Sequence, residues 1–267
     1  VANTAGLFTS TRGRRHATCP AETSSKVYLP PRMRAMLVLL CVAWLTGGCA
    51  VTTAVARVPP PLLAPVAQRA PVLLVHGIDD DASAFDVMRA RLEREGWAHV
   101  HAISLVPNDG SEGVPVLARQ VAREAEALRA RTGAQRVDVV GFSMGALVTR
   151  YWLQMHDGRR RVRRFISISG PHAGSQLAWL RRGKGLRQMR PQSRLLRDLE
   201  SDRRPWGEVE VHSFWTPWDL TIFPASSSRL RGASERTFPV LLHPWMISDG
   251  RVLDAVVEVL GSPAVAR

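Results

Sequence analysis

From Pro71 onward the chain alternates short apolar runs with amphipathic stretches. Val72-Leu-Leu-Val75, ending at His76-Gly77, predicts a buried strand. Phe85, Met88 and Leu92 fall on one face of a helix predicted over 84–95, with Gly96 at its end. Val100–Leu105 reads as the next strand. Val114, Leu117, Val121, Ala125 and Leu128 mark a second helix, closed by Gly133. Val137–Val140 is a third strand, and Met144–His156 a third helix that would bury Leu147, Tyr151, Trp152 and Met155. Phe165–Ile168, Val209–Phe214 and Phe238–Leu242 complete the strands, and Val252–Leu260 is a closing helix. This order predicts an α/β fold with a mostly parallel central sheet of about six strands and helices on both faces. In such sheets chemistry collects at the C-terminal ends of the strands.

The pattern ahead of Pro71 is different. Met33-Arg34-Ala35-Met36 leads into an apolar run to Leu45, then Thr46-Gly47-Gly48-Cys49. A basic start, a short apolar run and small residues before a cysteine make a signal-peptide pattern. The run is about half of what spans a bilayer. Its end resembles a bacterial lipobox, which would lipidate Cys49; an ordinary secretory signal is the other reading. A signal needs its basic region near the start, so 1–32 reads as an upstream or unstructured leader. Residues 33–48 are the signal, 49–70, with Pro59, Pro60, Pro61 and Pro65, an extended tether, and 71–267 one domain. The expected location follows: exported across the inner membrane, then a membrane-anchored lipoprotein of the periplasm or outer membrane, or else secreted.

Composition adds a qualification. The chain has 267 residues, 45% of them apolar, enough for a sizeable core. Its formal charge is +13, which invites a nucleic-acid or membrane-surface reading. Only Lys26 and Lys184 are lysine, so the bias is one of scattered arginine. Arg12, Arg14, Arg15, Lys26, Arg32 and Arg34 precede the domain altogether. The Arg159–Arg161 and Arg163–Arg164 run sits between a helix end and a strand, where the helix dipole accounts for it. No nucleic-acid partner is expected. The cysteines Cys19, Cys41 and Cys49 all precede the domain, which excludes a disulfide framework or a cysteine zinc site within it. Asp79, Asp80 and Asp81 do not make a ligand set, so neither metal nor cofactor is expected.

Candidate chemistry lies at the predicted strand ends. Gly141-Phe142-Ser143-Met144-Gly145 is G-x-S-x-G between a strand and a helix, the context in which that motif exposes a nucleophile. A chain turning from strand to helix in so few residues leaves no room for Cβ atoms at Gly141 and Gly145. A serine hydroxyl needs a base, and the base an orienting carboxylate. His243 follows the last predicted strand. His172, in Gly170-Pro171-His172-Ala173-Gly174-Ser175, is its competitor, as base, pocket residue or loop anchor. Asp219 is the carboxylate in the loop after the fifth strand, with Glu235 the next along. An oxyanion hole needs two backbone donors; the N–H of Met144 and that of Ile78 are the candidates. His76 and Gly77 would shape the Ile78 loop, and Asp249 would cap the last helix.

Pro71–Ile78, Gly141–Gly145 with Ala146–Tyr151, Gly170–Ser175, Asp219 and His243 together resemble the bacterial triacylglycerol lipases of the α/β-hydrolase superfamily, over about 71–260. The resemblance implies a Ser143-Asp219-His243 triad, with Ile78 and Met144 as oxyanion donors, acting on lipid or other carboxylic esters. Phe142 stands where His or Tyr is usual, which bears on pocket shape. Acyl transfer or thioester hydrolysis on the same scaffold, or a non-catalytic surface-anchored lipid binder, are the alternatives. Phe142, His172, Trp215, Trp218 and Trp245 are candidate pocket residues, with Trp206 in the same cluster of loop tryptophans. The long segment 175–207 reads equally as a mobile apolar cover or as helices packed on the sheet.

Overall fold

The structure, a computed structural model, describes residues 69–263. The expectations for the leader, the signal, Cys49 and nearly all of the tether lie outside the described residues. Among those residues no helix is long and apolar enough to cross a membrane.

Six parallel strands form one sheet: β1 (Val72–Val75), β2 (Val100–Ile103), β3 (Val137–Phe142), β4 (Val162–Ile168), β5 (Glu210–Trp215) and β6 (Ser234–Thr237). Their order is β2-β1-β3-β4-β5-β6. The chain goes one way from β1 to β2 and the other way from β3 on, so the crevice between the ends of β1 and β3 is the switch point where such sheets bind ligands. Alternate strand residues serve opposite faces. Leu73, Val75, Val139, Phe165 and Val211 pack beneath α2 (Val114–Thr132) and α3 (Met144–Met155). Val72, Leu74, Val140, Ile166 and Phe214 pack beneath α1 (Asp86–Arg94) and the last helix, Gly250–Gly261. Helices therefore cover both faces, as the pattern predicts. Gly133 ends α2 in the left-handed conformation, φ 69°.

The sixth strand and α3 differ from expectation. The sixth strand is not Phe238–Leu242 but the polar segment just before it, with His212 opposite Ser234 and Trp215 opposite Thr237. An edge strand needs backbone groups and one neighbour, not apolar side chains on both faces, and Pro239 has no N–H to give a ladder. Phe238 and Val240 still enter the core, while Leu241 and Leu242 face solvent. In α3, Leu147 and Trp152 are buried but Met155 is exposed and Tyr151 half-buried.

The fourth strand starts earlier than expected, at Val162, and takes in two arginines. Arg163 Nε donates to the buried Asp138 carboxylate on β3 at 2.9 Å. Arg164 is fully buried. It donates to the carbonyls of Leu260 (3.0 Å), Ser262 (2.8 Å) and Pro263 (3.0 Å), capping the last helix, and to Glu210 (2.8 Å). His212 also hydrogen-bonds Glu210, and with Arg164 holds that carboxyl at about 2. The remaining arginines of the run form ion pairs: Arg159 with Asp202 (3.1 Å), Arg160 with Asp157 (3.5 Å) and Arg161 with Asp157 (3.8 Å). Arg164→Ala would leave helix carbonyls and Glu210 without their buried donor, and should cost about 3 kcal/mol of stability in urea unfolding. A loss within experimental error would show that water replaces the guanidinium at no cost.

Candidate active site

The turn from β3 into α3 is steric in origin. A Cβ on Gly145 would lie 2.3 Å from the His76 carbonyl oxygen and 2.4 Å from that of Val75, at the end of β1. A Cβ on Gly141 would lie 2.7 Å from the Cα of Ala146. Only glycines allow helix and strand to approach this closely. Ser143 between them sits at φ 52°, ψ −124°, a sparsely populated conformation for a residue with a side chain, of the kind that collects at active sites. Its N–H donates to the Ile168 carbonyl on β4 at 2.9 Å, which fixes the turn. Met144 begins α3, so its N–H is one of the donors a helix leaves free.

Asp219 and His243 meet although 24 residues apart. His243 Nδ1 donates to Asp219 Oδ2 at 2.7 Å, and both residues are buried. Asp219 Oδ1 accepts from the N–H groups of Thr221 and Ile222, each at 2.9 Å. Burial would raise the Asp219 carboxyl, but the His243 hydrogen bond and charge, with the two backbone donors, outweigh it and hold it below the usual carboxylate value. With Nδ1 engaged, His243 Nε2 carries the lone pair, and it has no hydrogen-bond partner. The Phe142 ring, next to Ser143 in the chain, lies 4.8 Å from the imidazole, tilted by 33°.

The other candidates are occupied elsewhere. His172 is buried, with Nε2 2.6 Å from the Ser167 hydroxyl, and burial together with Arg150 keeps it neutral, far below the usual histidine value. Its carbonyl accepts from Arg150 Nη1 at 3.1 Å, so it anchors a loop. Glu235 pairs with Arg229 at the sheet edge, 3.0 Å. Asp249 caps the last helix through the Arg251 N–H. His76 locks the Ile78 loop: Nδ1 donates to the Gly77 carbonyl (2.7 Å) and Nε2 accepts from the Leu105 N–H (2.8 Å). Burial pushes this histidine down, as a neutral ring making both bonds requires. A Cβ on Gly77 would make a tight 3.0 Å contact with Ser143 Cβ. Among the described residues no His, Cys, Asp and Glu side chains group as metal ligands.

A cavity of about 250 Å³ opens on Ser143. Ile78 and Met144 stand in its wall, with Leu177, Leu180, Leu186, Met189 and Ile222 among its apolar lining. The expected pocket residues are elsewhere. Phe142 is buried against His243, His172 is buried behind the turn, and Trp218 and Trp245 are half-exposed outside the lining. Trp215 ends β5 with its indole nitrogen buried and unpartnered. Trp206 is core, its Nε1 donating to the Arg231 carbonyl at 2.8 Å. Much of the wall comes instead from 177–189, whose leucines carry no signal in the sequence that separates lining from packing. The 175–207 segment divides accordingly. Gln176–Trp179 and Lys184–Gln188 cover the cavity, whereas Leu195, Leu196 and Leu199 of Arg194–Ser201 pack into the core.

Gly145→Ala should abolish soluble, folded protein or shift its thermal midpoint down by many degrees; a normal melting curve would contradict the packing described. Because the Asp219 carboxyl lies low in the folded state, its contribution to stability is complete above the ordinary carboxylate range, about pH 4, and is lost as pH falls through its lower folded value. Asp219→Asn should therefore be less stable than wild type at neutral pH and show a shallower acid limb in urea unfolding from pH 7 to 2.

A triacylglycerol lipase of Pseudomonas fragi is 34% identical over 122 residues, covering 41% of this chain and 37% of that protein. One of Burkholderia plantarii is 28% identical over 158 residues, covering 55% and 43%. The chain thus spans less than half the length of the curated relatives it matches. In structure it is similar to mature Bacillus licheniformis lipase BlEst2 (TM-score 0.65, 18% identity, 75% of this chain and 96% of that one). Aspergillus fumigatus lipase B is similar too (TM-score 0.65, 21% identity, 73% and 54%). At such identities these structures speak for the fold, that of lipase-like α/β-hydrolases. The family described as palmitoyl protein thioesterase matches residues 71–218, a stretch that takes in Ile78 and Ser143 and stops one residue short of Asp219. With more than half its length in that match, the chain belongs to the palmitoyl protein thioesterase family, among the lipase- and esterase-like hydrolases.

Proposed function

We propose that this protein is a serine hydrolase that cleaves lipid carboxylic esters through an acyl-enzyme on Ser143, with His243 as base and Asp219 as its orienting acid. The observation that carries the reading is the buried Asp219–His243 pair with its unpartnered Nε2, its imidazole 4.8 Å from the ring of Phe142, the residue before the strained Ser143. His243 Nε2 takes the Ser143 proton as Oγ attacks the ester carbonyl carbon. Asp219 stabilises the imidazolium and keeps its tautomer. The N–H groups of Ile78 and Met144 take the oxyanion. Collapse breaks the bond to the leaving alcohol, which receives the proton from His243. Water, deprotonated by the same nitrogen, then releases the acid and frees Ser143.

The apolar cavity favours an acyl chain as the group held beside Ser143. Leu177 and Leu180 of its lining are exposed, as are Trp179, Trp218, Leu220, Phe223, Leu241, Leu242 and Trp245, all in segments that follow β4, β5 and β6. So many exposed large apolar side chains after the strand ends fit an apolar ligand or surface, and the lipase relatives point the same way. A second reading, thioester hydrolysis, is favoured by the family match. Neither reading needs a cofactor. On the sequence pattern of 33–49, the domain would be exported and held at a membrane by a lipid on Cys49. Loss of radiolabelled palmitate incorporation in Cys49→Ser tests that anchor.

Ser143→Ala and His243→Ala should each lower kcat on nitrophenyl esters by on the order of a millionfold, with folding retained. Ser143→Ala should also lose fluorophosphonate labelling. Wild-type turnover in either variant would end the reading. Ester and thioester series of matched chain length then separate the two substrate classes by kcat/KM.

A further inference from the structure

The segment that covers the cavity is fixed at both ends. At one end the Ser175 N–H donates to the Met189 carbonyl (2.9 Å) and its hydroxyl to the Thr221 carbonyl (2.8 Å). At the other, the Lys184 N–H donates to the Ser111 carbonyl (2.9 Å) and that of Gly185 to the Gly110 carbonyl (3.1 Å). The chains touch so closely here that a Cβ on Gly183 would sit 2.2 Å from the Gly110 oxygen. Between these anchors, 176–182 forms a short flap with Leu177, Trp179 and Leu180 exposed on it. Two arginines tie it down. Arg190 lies over the Trp179 ring at 4.1 Å and donates to the Ala178 carbonyl at 3.2 Å. The other is Arg181, which belongs to the flap and lines the cavity.

Arg181 reaches across the cavity mouth to the loop that carries Ile78. Both its terminal nitrogens hold the Asp79 carboxylate, Nη2 at 3.0 Å from Oδ1, and Nη2 also reaches the Asp109 carbonyl at 3.3 Å. Asp79 directly follows Ile78 and has φ 60°, the left-handed region. A non-glycine residue keeps that conformation where its surroundings over-determine it. On the inner side Asn108 does this: its carbonyl accepts the Asp79 N–H (2.9 Å), and its Nδ2 donates to the Asp80 carbonyl (2.7 Å). On the outer side the grip comes from Arg181, that is, from the flap.

We infer that Arg181 is a positioning residue: its two-pronged grip on Asp79 couples seating of the 176–182 flap to the setting of the Ile78 N–H beside Ser143. The inference rests on the proposed role of Ile78 as an oxyanion donor. When the flap is seated, the cavity is covered and the donor is held. When it lifts, the guanidinium leaves and Asp79 is restrained from one side only. The pair is about half exposed on each partner, so salt weakens it.

The test uses purified enzyme with a soluble short-chain nitrophenyl ester, which removes any need for a lipid surface. Ser143→Ala is measured first; residual wild-type turnover there defeats the proposed chemistry, not this coupling. With that variant inactive, Arg181→Ala should lower kcat about tenfold with little change in KM. That is short of the ~10²–10³-fold cost of losing a whole oxyanion donor. Asp79→Asn, a residue type that tolerates the left-handed conformation, should do the same. The double variant should be no worse than either single one. Wild-type kcat should fall as salt rises towards about 1 M, where screening is nearly complete, and kcat of Arg181→Ala should not. Arg181→Lys should recover part of the loss. Unchanged kcat in Arg181→Ala, additive losses in the double variant, or a change in KM alone would overturn the coupling. Matching thermal midpoints for all variants separate these outcomes from a folding defect.

Discussion

The first turn of α3 lies against the end of β1 so closely that no side chain fits at Gly145. That contact sets the position of everything else at the crevice. It forces the chain to leave β3 through a tight turn, puts Ser143 into its positive-φ conformation, and brings the start of a helix beside the loop that follows β1. The turn holds because it is over-determined: β1 and β3 are hydrogen-bonded neighbours, the Ser143 N–H is bonded to β4, and both faces of the sheet beneath are packed. Local strain is balanced by a core that leaves the chain no alternative path.

Around this fixed point, buried polar groups are partnered in a way that decides their protonation. His76 is neutral because a ring donating to one backbone group and accepting from another cannot carry a second proton without losing a bond. His172 is neutral because it is buried beside a guanidinium. His172 has one nitrogen on a hydroxyl, whereas His243 commits its Nδ1 to the buried Asp219 carboxylate and leaves Nε2 without a hydrogen-bond partner. The three histidines are identical in chemistry and differ in what the fold leaves around them. The same holds for the arginines. A run that suggests a basic patch when read along the chain is divided in space, with Arg164 sealing the end of the last helix and its neighbours paired with Asp202, Asp157 and Asp138.

The alternation of strand and helix was legible because each buried strand is short and continuous and each helix carries one apolar stripe. The G-x-S-x-G turn was legible because its glycines answer a steric demand local to five residues. The edge strand was not, since Ser234–Thr237 is held by backbone bonds to β5 and its side chains carry no apolar pattern. The cavity wall was not legible either. The large aromatics Trp215, Trp218 and Trp245 lie outside the lining, whose apolar residues, among them Ile78, Met144, Leu177, Leu180, Leu186, Met189 and Ile222, come from segments far apart in the chain.

Read alone, the chain therefore specified the layer architecture, the nucleophilic turn, and the acid and histidine that chain order allowed. These depend on spacing within a few residues and on the fixed sequence of strand ends. Tertiary structure decided which histidine meets Asp219, what lines the cavity, and that a flap arginine grips the residue after Ile78. Each of those is a contact between segments tens of residues apart. Burial and hydrogen-bond partners at that range come from how the strands are ordered in the sheet, and no local pattern carries them.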